Sequence, residues 1–322
     1  MRILVTGVAG FIGFHLTNRL LDQGFKVVGL DNLNSYYNPV LKKDRLKNIG
    51  FHKNKKNFKF IRGDITQEQV FKKIFTKYKF ESVIHLAAQA GVRYSLTHPH
   101  IYVKSNIMGF FHLLENIKKQ KIKLIFASSS SVYGNNKKKL FVENQNCNTP
   151  KQIYAATKIS NESMAYAYHE LFNLQIVGLR FFTVYGPYGR PDMSIFKFTE
   201  RILKRKKLEV YNFGKHSRDF TYVDDIVDGI LKILKKKYKP SFEIFNLGNN
   251  KPVTLKFLIK TISKVLNIEP KIKYIGRQKG DMLFTRASIT KAKKFFNYSP
   301  KTKLAEGIKK FINWYKSYYE VS

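Results

Sequence analysis

Tyr154 and Lys158, in the run Tyr154-Ala155-Ala156-Thr157-Lys158, are four residues apart and share one face of any helix that holds them. A phenol titrates near pH 10 and is a poor base at neutrality, so a nearby ammonium is what would favour its phenolate. A run of hydroxyls, Ser128-Ser129-Ser130-Ser131, lies upstream. Together these types suit removal of a proton from a substrate hydroxyl, with Tyr154 as base, Lys158 as its cation and a serine completing the network. A Tyr-x-x-x-Lys spacing alone says little; its context decides.

That context begins at Thr6-Gly7-Val8-Ala9-Gly10-Phe11-Ile12-Gly13, where a short apolar run turns into a segment of helical period. Glycines there permit a tight turn and close approach to a pyrophosphate, and a helix N-terminus favours its negative charge. Asp31 ends the next apolar run, 18 residues after Gly13. An acid so placed accepts from a ribose 2′-hydroxyl and repels a 2′-phosphate, which favours NAD over NADP. Lys158 would then also reach the nicotinamide ribose. Asp64 follows the third apolar run and suits an adenine amino group. Leu86-Ala87-Ala88 closes the fourth, where small residues admit a cofactor. The candidate cofactor set is Gly7, Gly10, Phe11, Ile12, Gly13, Asp31, Asn32, Asp64, Ile65, Leu86, Ala87 and Ala88, with Tyr154 and Lys158.

The elements that must position these groups alternate over the first 180 residues. Strand-length apolar runs fall at Ile3–Thr6, Val27–Asp31, Phe58–Ile61, Val83–Leu86, Leu124–Ala127 and Ile176–Leu179. Between most of them lie helical periods at Phe11–Leu21, Val70–Tyr78, Ile107–Ile117 and Met164–Phe172. The pattern predicts an α/β fold, a doubly wound parallel sheet of Rossmann type. Beyond Arg180 the rhythm predicts helices near 195–205, 224–235, 255–266 and 304–318, with strands at 242–247 and 272–274. Residues 1–180 with about 218–252 are expected to form the nucleotide lobe. About 181–217 with 253–322 would form a smaller α/β substrate lobe, the ligand lying between them.

At 322 residues and 43% hydrophobic, the chain can bury a sizeable core. Its one cysteine, Cys147, forms no intramolecular disulfide and fits a reducing compartment. The amino-terminal run is too short for a signal peptide, and no apolar run is long enough to span a bilayer. A cytoplasmic enzyme is expected. The formal charge of +37 invites a nucleic-acid reading, yet only 12 of the 59 basic residues are Arg. The Lys mix with Asn in loops, as in His52-Lys53-Asn54-Lys55-Lys56-Asn57, which reads as surface composition and not as a polyanion site. No His/Cys cluster has metal-ligand spacing.

With the segments TGVAGFIG at 6–13, HLAA at 85–88, SSSSVYG at 128–134, YAATK at 154–158 and RDFTYVDD at 218–225, the whole chain resembles the extended short-chain dehydrogenase/reductase family. Within it the chain is most similar to the UDP-glucuronate 4-epimerases, through DNLNSYY at 31–37, AGVRYS at 90–95 and RFFTVYGPYGRPDM at 180–193. The resemblance implies Ser129 as the catalytic hydroxyl beside Tyr154 and Lys158. It implies Arg218 at the diphosphate, Asp281 at the uridine ribose, Asn106 either beside the nicotinamide-facing elements or in helix packing, and a homodimer packed through helices near 99–119 and 154–172. Two departures, Lys279 for a frequent proline and Arg286-Ala287-Ser288 for Tyr-Ala-Asp, touch only the small lobe.

The implied cycle oxidises C4 of a UDP-sugar, rotates the 4-keto sugar and returns the hydride to its other face. On glucuronate the keto intermediate is a β-keto acid, so the carboxylate must be gripped without losing CO₂. Thr183, Ser130 and Ser131 are the expected hydrogen-bond donors, with Arg190 as nearby charge and Arg93 as a second cation. UDP-glucose or UDP-GlcNAc 4-epimerisation is the alternative. A 4,6-dehydratase is less favoured, the serines filling the place of an acid pair, and a decarboxylase would share the first step but differ in the fate of the keto acid. A non-catalytic NAD-binding regulator conflicts with the intact Ser129, Tyr154 and Lys158.

Overall fold

The computed structural model describes residues 1–120, 122–136, 138–276 and 282–321. Its strands are β1 (Arg2–Thr6), β2 (Lys26–Asp31), β3 (Phe58–Arg62), β4 (Ser82–His85), β5 (Lys123–Ser129), β6 (Ile176–Phe181), β7 (Thr183–Tyr185), β8 (Leu208–Tyr211), β9 (Ser217–Tyr222), β10 (Phe242–Leu247), β11 (Pro252–Thr254) and β12 (Ile272–Ile275). Its α-helices are α1 (Phe11–Asp22), α2 (Val40–Gly50), α3 (Glu68–Lys77), α4 (Tyr94–Thr97), α5 (Pro99–Tyr102), α6 (Gly109–Ile117), α7 (Ile153–Phe172), α8 (Ser194–Leu203), α9 (Val223–Lys235), α10 (Leu255–Leu266), α11 (Thr290–Phe296) and α12 (Leu304–Tyr319).

Seven strands form one sheet in the order β10-β6-β5-β4-β1-β2-β3, and every pairing in it is parallel. Strand order reverses at β1, which lies between β2 and β4, so the crevice that such a reversal opens sits at the carboxyl ends of β1 and β4. The strands read as unbroken apolar runs because both faces are covered. Along β1, Ile3 and Val5 join the apolar layer that contains α1 and α9, while Leu4 joins the layer of α3 and α6. This is the doubly wound architecture read from the sequence.

Two small sheets stand beyond the carboxyl edge: β11-β9-β7, and β12 paired with β8. Here the expected division needs correction. β9 was placed with the nucleotide lobe, but it pairs in parallel with β7 and antiparallel with β11. α9, which follows it directly, returns to pack on α1. β7 begins two residues after β6 ends, so one chain passes from the large sheet into the small one with only Phe182 between. Composition does not register so short a transfer.

The α1 start is tightly packed. Gly7 adopts φ +73, which suits glycine, and Gly10 N donates to Gly7 O at 2.9 Å. A Cβ on Gly13 would stand 2.1 Å from Gly7 O, a backbone atom that cannot step aside. Gly13→Ala is therefore expected to lower stability by about 2 kcal/mol and to weaken dinucleotide binding, as measured by thermal unfolding and by nucleotide retained through purification.

Candidate functional site

One continuous cavity of about 1060 Å³ runs from the glycine loop to the small sheets. Gly7, Gly10, Phe11, Ile12, Gly13, Asp31, Asn32, Asp64, Ile65, Leu86, Ala87 and Ala88 line one end. Ser129, Ser130, Ser131, Tyr154 and Lys158 line its middle, and Thr183, Arg190, Arg93 and Arg218 its far side. Asp281 lies outside the described residues.

At the nucleotide end, Asp31 Oδ2 accepts from Ala9 N at 3.1 Å and Oδ1 from Leu33 N at 2.9 Å. Burial pushes its carboxyl pKa up, and those amides together with Lys42 and Arg45 offset only part of the rise. Asp64 accepts from Asn32 Nδ2 at 2.9 Å and from Thr66 N at 2.8 Å. Burial works against its charge, but these bonds prevail and hold it below the ordinary carboxylate range. Beneath the loop, Thr6 Oγ1 shares a 2.8 Å hydrogen bond with His85 Nδ1 and accepts from Ala87 N at 3.2 Å. Burial, reinforced by Lys158, drives His85 down to about 3, so it is a neutral strut.

In the middle, α7 presents Tyr154, Lys158 and Glu162 at successive four-residue steps. Glu162 was not singled out in the sequence, yet it fixes the stripe. Arg180 of β6 grips it in a bidentate pair, Nε to Oε1 at 2.9 Å and Nη2 to Oε2 at 2.7 Å. Ser128 Oγ donates to the same Oε1 at 2.5 Å, tying α7 to the end of β5. Lys158 is buried with Nζ donating to Ala127 O at 2.8 Å. Burial pushes it down to about 8, with Glu162 opposing, so it is an ammonium at neutral pH. Ser129 Oγ accepts from Ser131 N at 3.1 Å. Burial raises the Tyr154 pKa, and a hydrogen bond with Ser129 and the charge of Arg190 offset part of the rise. The charge of Arg190 thus also acts on the phenol, beside the Lys158 expected from the sequence.

Arg190, expected as nearby charge, is itself paired. Its guanidinium is bidentate to Asp192, at 2.9 and 2.5 Å, and Tyr36 OH donates to the same carboxylate at 3.0 Å. Burial works against its charge and Asp192 more than restores it. Its Nε and Nη2 are engaged by Asp192, so Arg190 brings its charge to the cavity already paired. Arg93 stands over the Tyr211 ring at 4.5 Å, bringing a loop after β4 against β8 across the cavity. Arg218 Nη1 donates to Ser217 O at 3.0 Å.

Of the two readings open for Asn106, its contacts fit helix packing: it is absent from the cavity wall and buried. Its Oδ1 accepts from Gln89 N at 2.8 Å, and its Nδ2 donates to Gln89 O and to Thr157 Oγ1, both at 3.0 Å. It clamps the loop after β4 to α7. It sits in a six-residue π-helical turn, Val103–Met108, a departure from α geometry that often marks functional positions.

Sequence reading missed α2, because two of its four buried residues are Lys42 and Arg45, and so its amphipathic pattern is blurred. Lys42 Nζ donates to Asn34 O and Oδ1 at 2.8 and 2.6 Å on the cavity wall. Two basic residues three apart, just after the Asp31 loop, were the available signal.

The residues present fit a dinucleotide. No side chain caps the α1 start, its first turn holds no acid, and side chains are sterically barred at Gly7 and Gly13. Fold and site define an α/β protein in which a dinucleotide cradle opens onto a Ser/Tyr/Lys cluster. The pattern of the NAD dependent epimerase/dehydratase family matches residues 3–248, and the chain belongs to that family. It is 43% identical to UDP-glucuronate 4-epimerase 1 of Arabidopsis thaliana, over 98% of this chain and 77% of that protein. The crystal structure of UDP-glucuronic acid 4-epimerase from Bacillus cereus, in complex with UDP-glucuronic acid and NAD, superposes with a TM-score of 0.93. It is 34% identical, covering 99% of this chain and 100% of that one. UDP-glucose 4-epimerase from Thermotoga maritima, with UDP-glucose, gives 0.88 at 31% identity, covering 99% and 100%.

Lys158 carries a stability signature. Its ammonium is disfavoured in the fold relative to the unfolded chain, so the native state is penalised below about pH 8 and relieved as pH rises toward 10.5. Lys158→Met in nucleotide-free protein is expected to be inactive yet more stable at pH 7 by about 2 kcal/mol. Denaturant unfolding at stepped pH should show that advantage fading between about 8 and 10.5.

Proposed function

We propose that this chain interconverts UDP-glucuronate and UDP-galacturonate by epimerisation at C4. The observation that carries the reading is a single cavity that joins the glycine loop to Tyr154, Lys158 and a wall of hydroxyls at Ser130, Ser131 and Thr183. Relatives at 43% identity bear the name UDP-glucuronate 4-epimerase, which supports glucuronate over the neutral sugar of the Thermotoga neighbour.

Gly7, Gly10 and Gly13 admit the pyrophosphate to the α1 start, Asp31 takes the adenosine ribose, and Asp64 with Asn32 the adenine edge. Bound there, NAD⁺ supplies the acceptor, and then the donor, of the C4 hydride. Tyr154 as phenolate takes the proton of the C4 hydroxyl while Ser129 holds the same oxygen. The positive charges of Lys158 and Arg190 make that phenolate accessible. The 4-keto sugar turns about its link to the diphosphate, which Arg218 retains. Tyr154 then returns the proton to the C4 oxygen, and the second epimer leaves. Thr183, Ser130 and Ser131 hold the C6 carboxylate by neutral donors, with Arg190 already paired to Asp192. The carboxylate stays hydrogen-bonded and charged throughout, and the keto acid is kept from losing CO₂.

Incubation with UDP-glucuronate, UDP-glucose and UDP-GlcNAc, resolved by proton NMR, is expected to give UDP-galacturonate from the first alone, without CO₂ or net NADH. Tyr154→Phe should lower turnover at least about 10³-fold while retaining NAD. Conversion of a neutral sugar in place of UDP-glucuronate would sink the carboxylate assignment.

The enzyme works as a homodimer in the cytoplasm. Val103, Met108 and Phe111 are exposed, as are Leu171 and Phe172 at the end of α7, and they support pairing through these helices. No helix among the described residues is long and apolar enough to cross a membrane. Light scattering should return twice the chain mass, and a monomer mass would remove the dimer.

A further inference from the structure

The Pro187–Asp192 loop brings Arg190 and Asp192 into the cavity, and it is held from behind by two helices of the nucleotide side. His15 of α1 places Nε2 2.8 Å from Pro187 O. Burial drives its imidazole down to about 4, so it meets that carbonyl as a neutral donor. Arg45 of α2 donates from Nη2 to Tyr188 O at 2.6 Å. Tyr188 has φ +55, a left-handed backbone that a bulky residue keeps only when its surroundings impose it.

The other end of the same guanidinium reaches the cofactor cradle. Arg45 Nη1 donates to Ala9 O at 2.8 Å and to Tyr37 OH at 2.6 Å. Ala9 lies inside the glycine loop, and its N–H is the one bonded to Asp31. A fully buried Arg45 thus joins the loop that receives a pyrophosphate to the loop that carries Arg190. A buried guanidinium is costly, and an apolar residue would pack α2 more cheaply if packing were its whole purpose.

We propose that Arg45 is a positioning residue that couples dinucleotide binding at the glycine loop to sugar binding at the Pro187–Asp192 loop. It rests on the function proposed above, which puts NAD⁺ at one loop and the sugar at the other. A ligand that fixes Ala9 O fixes the Arg45 fork, and the fork sets Tyr188 O and the two residues beyond it. By linkage the effect is reciprocal, so bound sugar tightens retention of NAD⁺ by the same factor. UDP alone occupies the diphosphate end near Arg218 and does not depend on this tie.

The test is a binding cycle in the Tyr154→Phe background, where turnover is blocked. Calorimetry gives Kd for UDP-glucuronate, and separately for UDP, with protein stripped of nucleotide and protein saturated with NAD⁺. NAD⁺ is expected to tighten UDP-glucuronate by about 10-fold. Adding Arg45→Met should bring that factor to about 1 while UDP affinity changes less than about twofold. Arg45→Lys, which keeps a donor and the packing, should retain part of the factor and guards against a variant that fails to fold. A coupling factor unchanged by both substitutions overturns the inference. So does a common loss of all affinities with the factor intact, which is what a merely structural Arg45 would give. If UDP-glucuronate binds neither form while a neutral UDP-sugar does, the proposed substrate falls with it; if binding is normal and only the coupling is missing, the inference alone falls.

Discussion

Everything at this site depends on how closely α1 approaches the end of β1. With no side chain at Gly13, the first turn of the helix rests against the Gly7 carbonyl, at a distance no Cβ would tolerate. That contact aims the helix N-terminus at the crevice where strand order reverses, and the open amides there favour an anion. The position of the dinucleotide follows from it. So does the position of the substrate, because a hydride crosses only a short gap and the catalytic stripe on α7 must face the same point.

Charge is buried around this cleft in pairs and forks rather than singly. Glu162 and Arg180 lock α7 to β6 and, through Ser128, to β5. Asp192 and Arg190 close on each other and on Tyr36. Lys158 spends its ammonium on one backbone carbonyl under heavy desolvation. A cation kept under that strain is available to a ribose hydroxyl and a phenolate, which would relieve it. Such a trade of stability for reactivity is common where activity requires a destabilised group.

The large sheet was legible because a parallel sheet covered on both faces must be written in unbroken apolar runs, and helices between strands keep a clear period. Phe242–Leu247 could be read from its apolar content alone, even though it pairs with β6 at the sheet edge. β7, β9 and β11 were not legible. β7 and β11 are three residues each and β9 is of mixed polarity, so their pairing is settled by contacts and not by local pattern. α2 escaped for a related reason, since Lys42 and Arg45 occupy positions where a helix of ordinary pattern would show apolar residues.

Residue types and spacing by themselves determined the chemistry: a phenol and an ammonium on one helix face, hydroxyls at a strand end, glycines at a strand-to-helix turn, and an acid at the next strand's end. These are local relations, fixed by the geometry of single elements. Only the tertiary structure decided which charges meet. It gave Arg190 to Asp192, withdrew Asn106 into a clamp on Gln89, and set Arg45 between Ala9 and Tyr188. Those partners lie between 2 and 143 residues apart along the chain. Side-chain type does not encode such choices, because an arginine's fork accepts any carboxylate or carbonyl that folding brings within reach.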